Sequence, residues 1–307
     1  MSDGQLRKGA AIAAAALSAS AFSAFALPGY GEWSAPSLVQ SGAGPAGPIA
    51  TGAVDGCVSL SRDGRELYFA SNRTGNFDLY VSSRSSTGAA FGPPQRLPAT
   101  VNTPAGEACP TIVGRNRLYF LRDSSGDAGN IHVSTRSSGG WKSAVAVPLL
   151  NSAKLDEAVT TYDDPQGREV IVWSQRNADG SGGQILQSTA GGPPQPVEGG
   201  PNAAGSNNRP SITHDGSTIF FDSTRPGGQG GPDLWYATRS VAEGPFGPAI
   251  HLGALNSAGF DARPSISWDG EQLFYSSNRP GSTSPAPDVW MAQRPRLTGP
   301  KTVEFPR

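Results

Sequence analysis

Apolar residues in this chain fall in short consecutive runs rather than at helical spacing. Leu67 to Phe69, Leu118 to Phe120, Val170 to Trp173, Ile219 to Phe221 and Leu273 to Tyr275 are each β-branched or aromatic and bounded by turn residues. Runs of this length and composition predict strands that are buried on both faces. Asp63-Gly64, Asp215-Gly216 and Asp269-Gly270 stand just before three of them and supply the positive-φ turn of a tight hairpin, so an inner strand such as Pro264 to Ser267 precedes each turn. A third strand follows in Asp78 to Arg84, Asn130 to Arg136, Asp233 to Arg239 and Asp288 to Arg294, with Gln184 to Thr189 its weakest copy. A fourth begins at Phe91, Trp141 and Phe246, and at Gly192 without the aromatic.

The unit therefore repeats. Ser61 to Arg73 returns as Thr213 to Arg225 and as Ser267 to Arg279, with weaker copies at Gly114 to Phe120 and Gly167 to Trp173. The turns recur about every fifty residues, the length of one propeller blade. Five copies predict an all-β chain, a single five-bladed β-propeller of four-stranded antiparallel blades. The blades lie near 55–101, 107–150, 156–201, 207–255 and 261–294. The last repeat lacks an outer strand, and Trp33 to Val39 matches the spacing of Trp141 to Val147. The N-terminal strand 33–39 is therefore expected to complete blade five and close the ring, leaving no open sheet edge.

Composition supports many turns: 40 glycines and 27 prolines exceed a fifth of the 307 residues and sit between the apolar runs. Charged residues are 16%, the net charge is −1, and no basic run exists, which argues against nucleic acid. Residues 1–26 read as a signal peptide, with Arg7 and Lys8, an apolar stretch to Ala26, and the small-x-small ending Ala24-Phe25-Ala26. The mature chain 27–307 is expected to be periplasmic or secreted, monomeric and free of the membrane after cleavage.

The pattern Ser-x-Asp-Gly, then Leu-x-Phe-x-Ser-x-Arg, then Asp-Leu-Tyr resembles the TolB-type (WD40-like) propeller repeat of bacterial envelope proteins, over residues 33–294. Blades two and three depart from it, with Ser124 in place of the arginine and Gln184 where the aspartate should stand. The resemblance implies the fold and an envelope location, with an envelope protein or a glycan as partner. It implies no catalytic activity, because one fold hosts many functions.

Arg73, Arg225 and Arg279 end second strands, and Asp78, Asp233 and Asp288 begin third strands. Each pair is expected to meet across its hairpin as a structural ion pair. The copies differ just ahead of the inner strands. Aligned on Asn102, Asn151, Asn202 and Asn256, these positions hold Glu107, Asp156, Asn207 and Asp261, with Asp55 in blade one and Glu157, Asn208, Arg209 and Arg263 nearby. They are expected to ring one channel mouth. Three readings stay open: a solvated funnel, a mouth that binds a ligand or cation, and an active site. The last would use Asp55, Glu107, Asp156 or Glu157 as the two carboxyls of a glycoside hydrolase. The leading reading is a binding or scaffold propeller with no catalytic residue, no metal ligand set and no cofactor. His132, His214 and His251 lie away from that mouth and do not suggest zinc or triad chemistry. Cys57 and Cys109 hold equivalent places in adjacent blades, which favours a disulfide, with buried thiols and a reactive pair as the alternatives.

Overall fold

A computed structural model describes residues 29–40, 48–123, 129–240 and 243–297. The expected signal peptide, Ser124 and the C-terminal tail from 298 lie outside the described residues.

Five antiparallel sheets form a closed five-bladed propeller. The inner strands are Asp55–Leu60, Gly106–Val113, Leu155–Asp163, Asn207–Ile212 and Asp261–Ile266. The second strands are Glu66–Ser71, Arg117–Asp123, Glu169–Arg176, Thr218–Ser223 and Gln272–Ser277. The third strands are Asp78–Ser83, Asn130–Ser137, Gln184–Thr189, Asp233–Thr238 and Asp288–Gln293. Outer strands are only two residues long and begin later than the aromatics that announce them, as at Gln95–Arg96 and Ile250–His251. Phe91 and Phe246 instead anchor their loops in the core. Blade two carries two such short pieces, Gly140–Trp141 and Val145–Ala146, both on its third strand.

Ser37–Leu38 pairs antiparallel with Asp288–Gln293, Ser37 opposite Met291 and Leu38 opposite Trp290. The N-terminal strand thus closes blade five. Pairing continues outward at Tyr30 and Arg296, and Val39 is buried between blades five and one.

Consecutive apolar residues on each second strand serve opposite neighbours. Phe69 faces the blade five interface and Tyr68 the blade two interface. Phe221 packs with blade three and Phe220 with blade five. Five apolar clusters fill the five interfaces, so burying both sheet faces is what demands the unbroken apolar runs. The recurrent asparagines clamp the blades internally. Asn102 Oδ1 accepts the Leu79 N–H at 2.8 Å while its Nδ2 donates to the Leu79 and Leu97 carbonyls. Asn151, Asn202 and Asn256 make the same bridge to Ile131, Ile185 and Leu234. Each stands in for ladder bonds that the two-residue outer strand is too short to supply.

Candidate functional site

The four carboxylates expected to ring a solvated mouth are buried and hydrogen-bonded. Asp55, Glu107, Asp156 and Asp261 are 0% exposed, and each is the first or second residue of an inner strand. Asp55 accepts the Thr51 N–H and hydroxyl at 2.7 and 2.6 Å, and Arg73 at 2.6 Å. Glu107 accepts Thr103 and Arg122, and Asp261 accepts Ser257 and Arg279. Asp156 accepts Ser152, Trp173 and Gln175. Carboxylates without water and with saturated oxygens are structural ties, which corrects the open-mouth expectation.

Asn207 confirms the logic by departing from it. Four residues before each carboxylate stands a hydroxyl residue, Thr51, Thr103, Ser152 or Ser257, but Ala203 precedes Asn207. With no hydroxyl to accept, the amide donates instead to the Ala204 and Gly205 carbonyls, and its oxygen takes Arg225 and Ser223. This covariation was present in the sequence and went unread.

The same contacts correct the hairpin pairs. Arg73 and Arg279 turn back to the inner-strand Asp55 and Asp261, and Arg225 to Asn207, not forward to Asp78, Asp288 and Asp233. The reason is register: Ser71 lies opposite both Asp55 and Asp78, and its hydroxyl accepts Arg73 Nε, steering the guanidinium inward. Asp78 points outward to a bidentate Arg96 and to Thr74. Asp288 accepts Thr283, and Asp233 accepts the Gln229 N–H with His251 at 3.6 Å. In blade two Arg122, directly opposite Glu107, performs the arginine role, the longer glutamate meeting it without the two-residue offset.

Two residues beyond each ring position the ladder breaks at a bulge. Cys57, Cys109, Ala158, Arg209 and Arg263 all adopt left-handed φ, between 48° and 60°. Such non-glycine conformations cost of order 1 kcal/mol or more each and persist only where the surroundings fix them. Their effect is to aim all five at the propeller axis, where they floor a cavity of about 280 Å³. Cys57 and Cys109 are joined in a disulfide with Cα atoms 4.7 Å apart, stapling blades one and two. Three of the five floor positions are thus cysteine or alanine, and the other two are arginines.

Behind the guanidiniums lies a charge cluster. Arg209 meets Asp222 at 3.0 Å, and Arg176 meets Glu157 at 2.8 Å. Burial opposes ionisation of Glu157, yet Arg209 and Arg176 outweigh it and hold the carboxyl below its usual range. Asp222 is lifted above that range by burial, against the pull of Arg209. Arg263 offers its backbone N–H to Asp222, but its Nε is buried and unbonded, and burial, then Arg209, pushes the group down to about 10. Gly56 leaves room for Ser276, whose Oγ would lie 2.1 Å from a Cβ there, while Arg263 Nη1 would be in ordinary contact at 3.6 Å.

Above the floor runs a belt of hydroxyls, one per blade. Ser59, Thr160 and Ser211 accept the N–H of Ile112, Ile212 and Ile266 in the next blade, and Thr111 donates to the Val159 carbonyl. Ser265 completes the belt on the cavity wall. The far rim is built from the variable position of the Ser-x-Asp-Gly turn. Arg62 lies 4.1 Å over Trp268, which stacks on His214 at 4.7 Å, and Trp268 is 41% exposed. His214, expected away from the site, therefore borders the cavity, at the end opposite the acidic ring. Among the described residues no three His, Cys, Asp or Glu side chains converge as a metal group, and no helix is long and apolar enough to cross a membrane.

No protein-family model and no curated protein matches the chain. Solved structures do. The native arabinanase of Bacillus subtilis is similar at TM-score 0.53 and 16% identity, over 79% of this chain and 94% of that one. An α-L-arabinofuranosidase from Lactobacillus brevis gives 0.54 and 12%, over 83% and 97%. A putative TolB from Agrobacterium tumefaciens gives 0.48 and 16%, over 74% and 71%. At these identities the likeness is one of fold.

Proposed function

We propose that this chain is a binding propeller that takes a glycan or a small polar ligand into its axial cavity and works in the envelope or outside the cell. The observation that carries the reading is the cavity floor, which offers two guanidiniums and no carboxylate. A glycoside hydrolase of the arabinanase kind needs two carboxyls on opposite sides of the scissile bond. Here Glu157 and Asp222 sit behind Arg176 and Arg209 rather than on the wall. Of the two wall carboxyls, Glu169 is held by Arg117 at the blade three hairpin, and Asp163 stands exposed at the end of the same blade's inner strand, on one side of the cavity only. The volume lies just under the roughly 300 Å³ at which small-molecule sites begin, and the rim above it is the stack of Arg62, Trp268 and His214. An extracytoplasmic setting suits the Cys57–Cys109 disulfide. The reading requires no cofactor, and the envelope partner implied by the TolB-type repeat would be the source of the glycan.

The test is a thermal-shift panel of sugars and envelope glycans run on the protein and on Ser265→Phe. That substitution fills the cavity from a wall position whose hydroxyl bonds nothing in the structure. Ligands that stabilise the parent and leave Ser265→Phe unmoved support the reading. Ligands that stabilise both alike place the site elsewhere and overturn it.

A further inference from the structure

Resting on that cavity reading, we propose that the floor is a monoanion site and that the ligand is a sugar acid, its carboxylate bound by Arg263 and its hydroxyls by the belt above. Three observations carry this. The first is a charge count at the floor: Arg176 is paired with Glu157 and Arg209 with Asp222, while Arg263 has no carboxylate in direct contact and feels those two only from further off. Its side chain makes no hydrogen bond, although a guanidinium carries five donors and its Nε is buried. A half-buried guanidinium whose one close partner is the Phe260 ring, 5.5 Å from its central carbon, is poorly compensated, and here it borders open volume. An anion entering that volume meets a bidentate donor already in place. One uncompensated positive charge matches a carboxylate; a doubly charged phosphate would leave an excess negative charge in the same desolvated space.

The second observation is asymmetry. The bulge sends the same position of all five blades to the axis, but the occupants are Cys57, Cys109 and Ala158 on one side and Arg209 and Arg263 on the other. A floor made only to seal the axis would have no use for this split. A ligand with one charged end has.

The third is the hydroxyl belt. Ser59, Thr160 and Ser211 accept backbone N–H groups through their oxygens, which leaves their own protons available, and the Ser265 hydroxyl is uncommitted. Several hydroxyl donors within one small cavity fit a polyol better than an aliphatic acid, whose apolar tail would leave them unpaired.

The experiment is isothermal titration of the full chain at pH 7 with sodium glucuronate, glucose and sodium phosphate in turn. It is repeated on Arg263→Met, on Arg263→Gln as a second charge-removing variant, and on Ser265→Phe. Glucuronate should bind more tightly than glucose or phosphate, lose roughly 10- to 100-fold in affinity on removal of the guanidinium, and not bind Ser265→Phe. Equal affinity for glucose and glucuronate, or glucuronate affinity unmoved in both Arg263 variants, overturns the anion site while leaving the cavity reading intact. Phosphate binding more tightly overturns the carboxylate assignment, and absence of glucuronate binding to the parent overturns the proposal outright. Glucuronate binding that survives in Ser265→Phe brings down both this inference and the cavity reading.

Discussion

Replacing Asp261 by Asn separates a structural tie from a solvated site. Asp261 is fully buried and accepts three donors: the Ser257 N–H and hydroxyl at 2.6 Å each, and Arg279 at 2.7 Å. An amide has one accepting end. If its oxygen faces Arg279, its NH2 confronts the two Ser257 donors; turned over, it confronts the guanidinium. Either orientation leaves buried donors opposed and Arg279, only 11% exposed, without its countercharge. Breaking a buried pair from one side costs roughly 3–5 kcal/mol, a third or more of the ~5–15 kcal/mol that holds a typical domain together. Adding Ser257→Ala, which gives blade five the Ala and Asn of blade four, removes one opposed hydroxyl and should return about 1 kcal/mol. Urea denaturation with the disulfide intact reads both values from the midpoint, provided the slope stays constant. An unchanged or higher midpoint for Asp261→Asn would show that the acidic ring is not structural and that water or a ligand serves it.

The two floor arginines should respond with opposite signs. Arg209→Met strands Asp222 and should lower stability by roughly 3 kcal/mol, whereas Arg263→Met removes an unpaired charge and should hold or raise the melting temperature. Burial and Arg209 depress Arg263 to about 10, so its charge opposes folding below that pH; the gain should be full at pH 7 and fade as pH rises past 10. Cys57→Ser with Cys109→Ser opens a loop of 52 residues and should cost about 4 kcal/mol in the chain-entropy account, read as a fall in melting temperature matched by reducing the parent. Deleting residues 29–39 removes Leu38 and Val39 from the blade five edge and should destabilise by roughly 5 kcal/mol; a melting temperature equal to the parent's would mean another segment closes the ring.

Strands, blades and ring closure were legible because each rests on local chemistry: Asp-Gly turns, β-branched runs, and a missing outer strand matched by Trp33 to Val39. The alternation of Tyr68 and Phe69 between two interfaces is the same signal seen in space. Pairing of charges was less legible. Arg73 stands within reach of Asp55 and Asp78 alike, and the choice is made by the Ser71 hydroxyl and the sheet register, which the sequence does not display. The bulge was invisible for a similar reason, since Cys, Ala and Arg carry no mark of a left-handed backbone as a glycine would. Yet the bulge moves the candidate site two residues along each inner strand. Two signals were present and unused: the Ala203–Asn207 departure from the Ser/Thr-to-carboxylate spacing, and the variable residue of the Ser-x-Asp-Gly turns, Arg62, His214 and Trp268, which rims the cavity.

Whether the axis binds or cleaves is tested most directly by incubating the purified protein with arabinan, aryl α-L-arabinofuranosides and a glycan panel and quantifying released reducing ends. With Glu157 and Asp222 held behind the floor by Arg176 and Arg209, the protein should release nothing above the uncatalysed background. Turnover that disappears in Glu157→Gln or Asp222→Asn, with both variants folded, would contradict the account and make the charge cluster an active site.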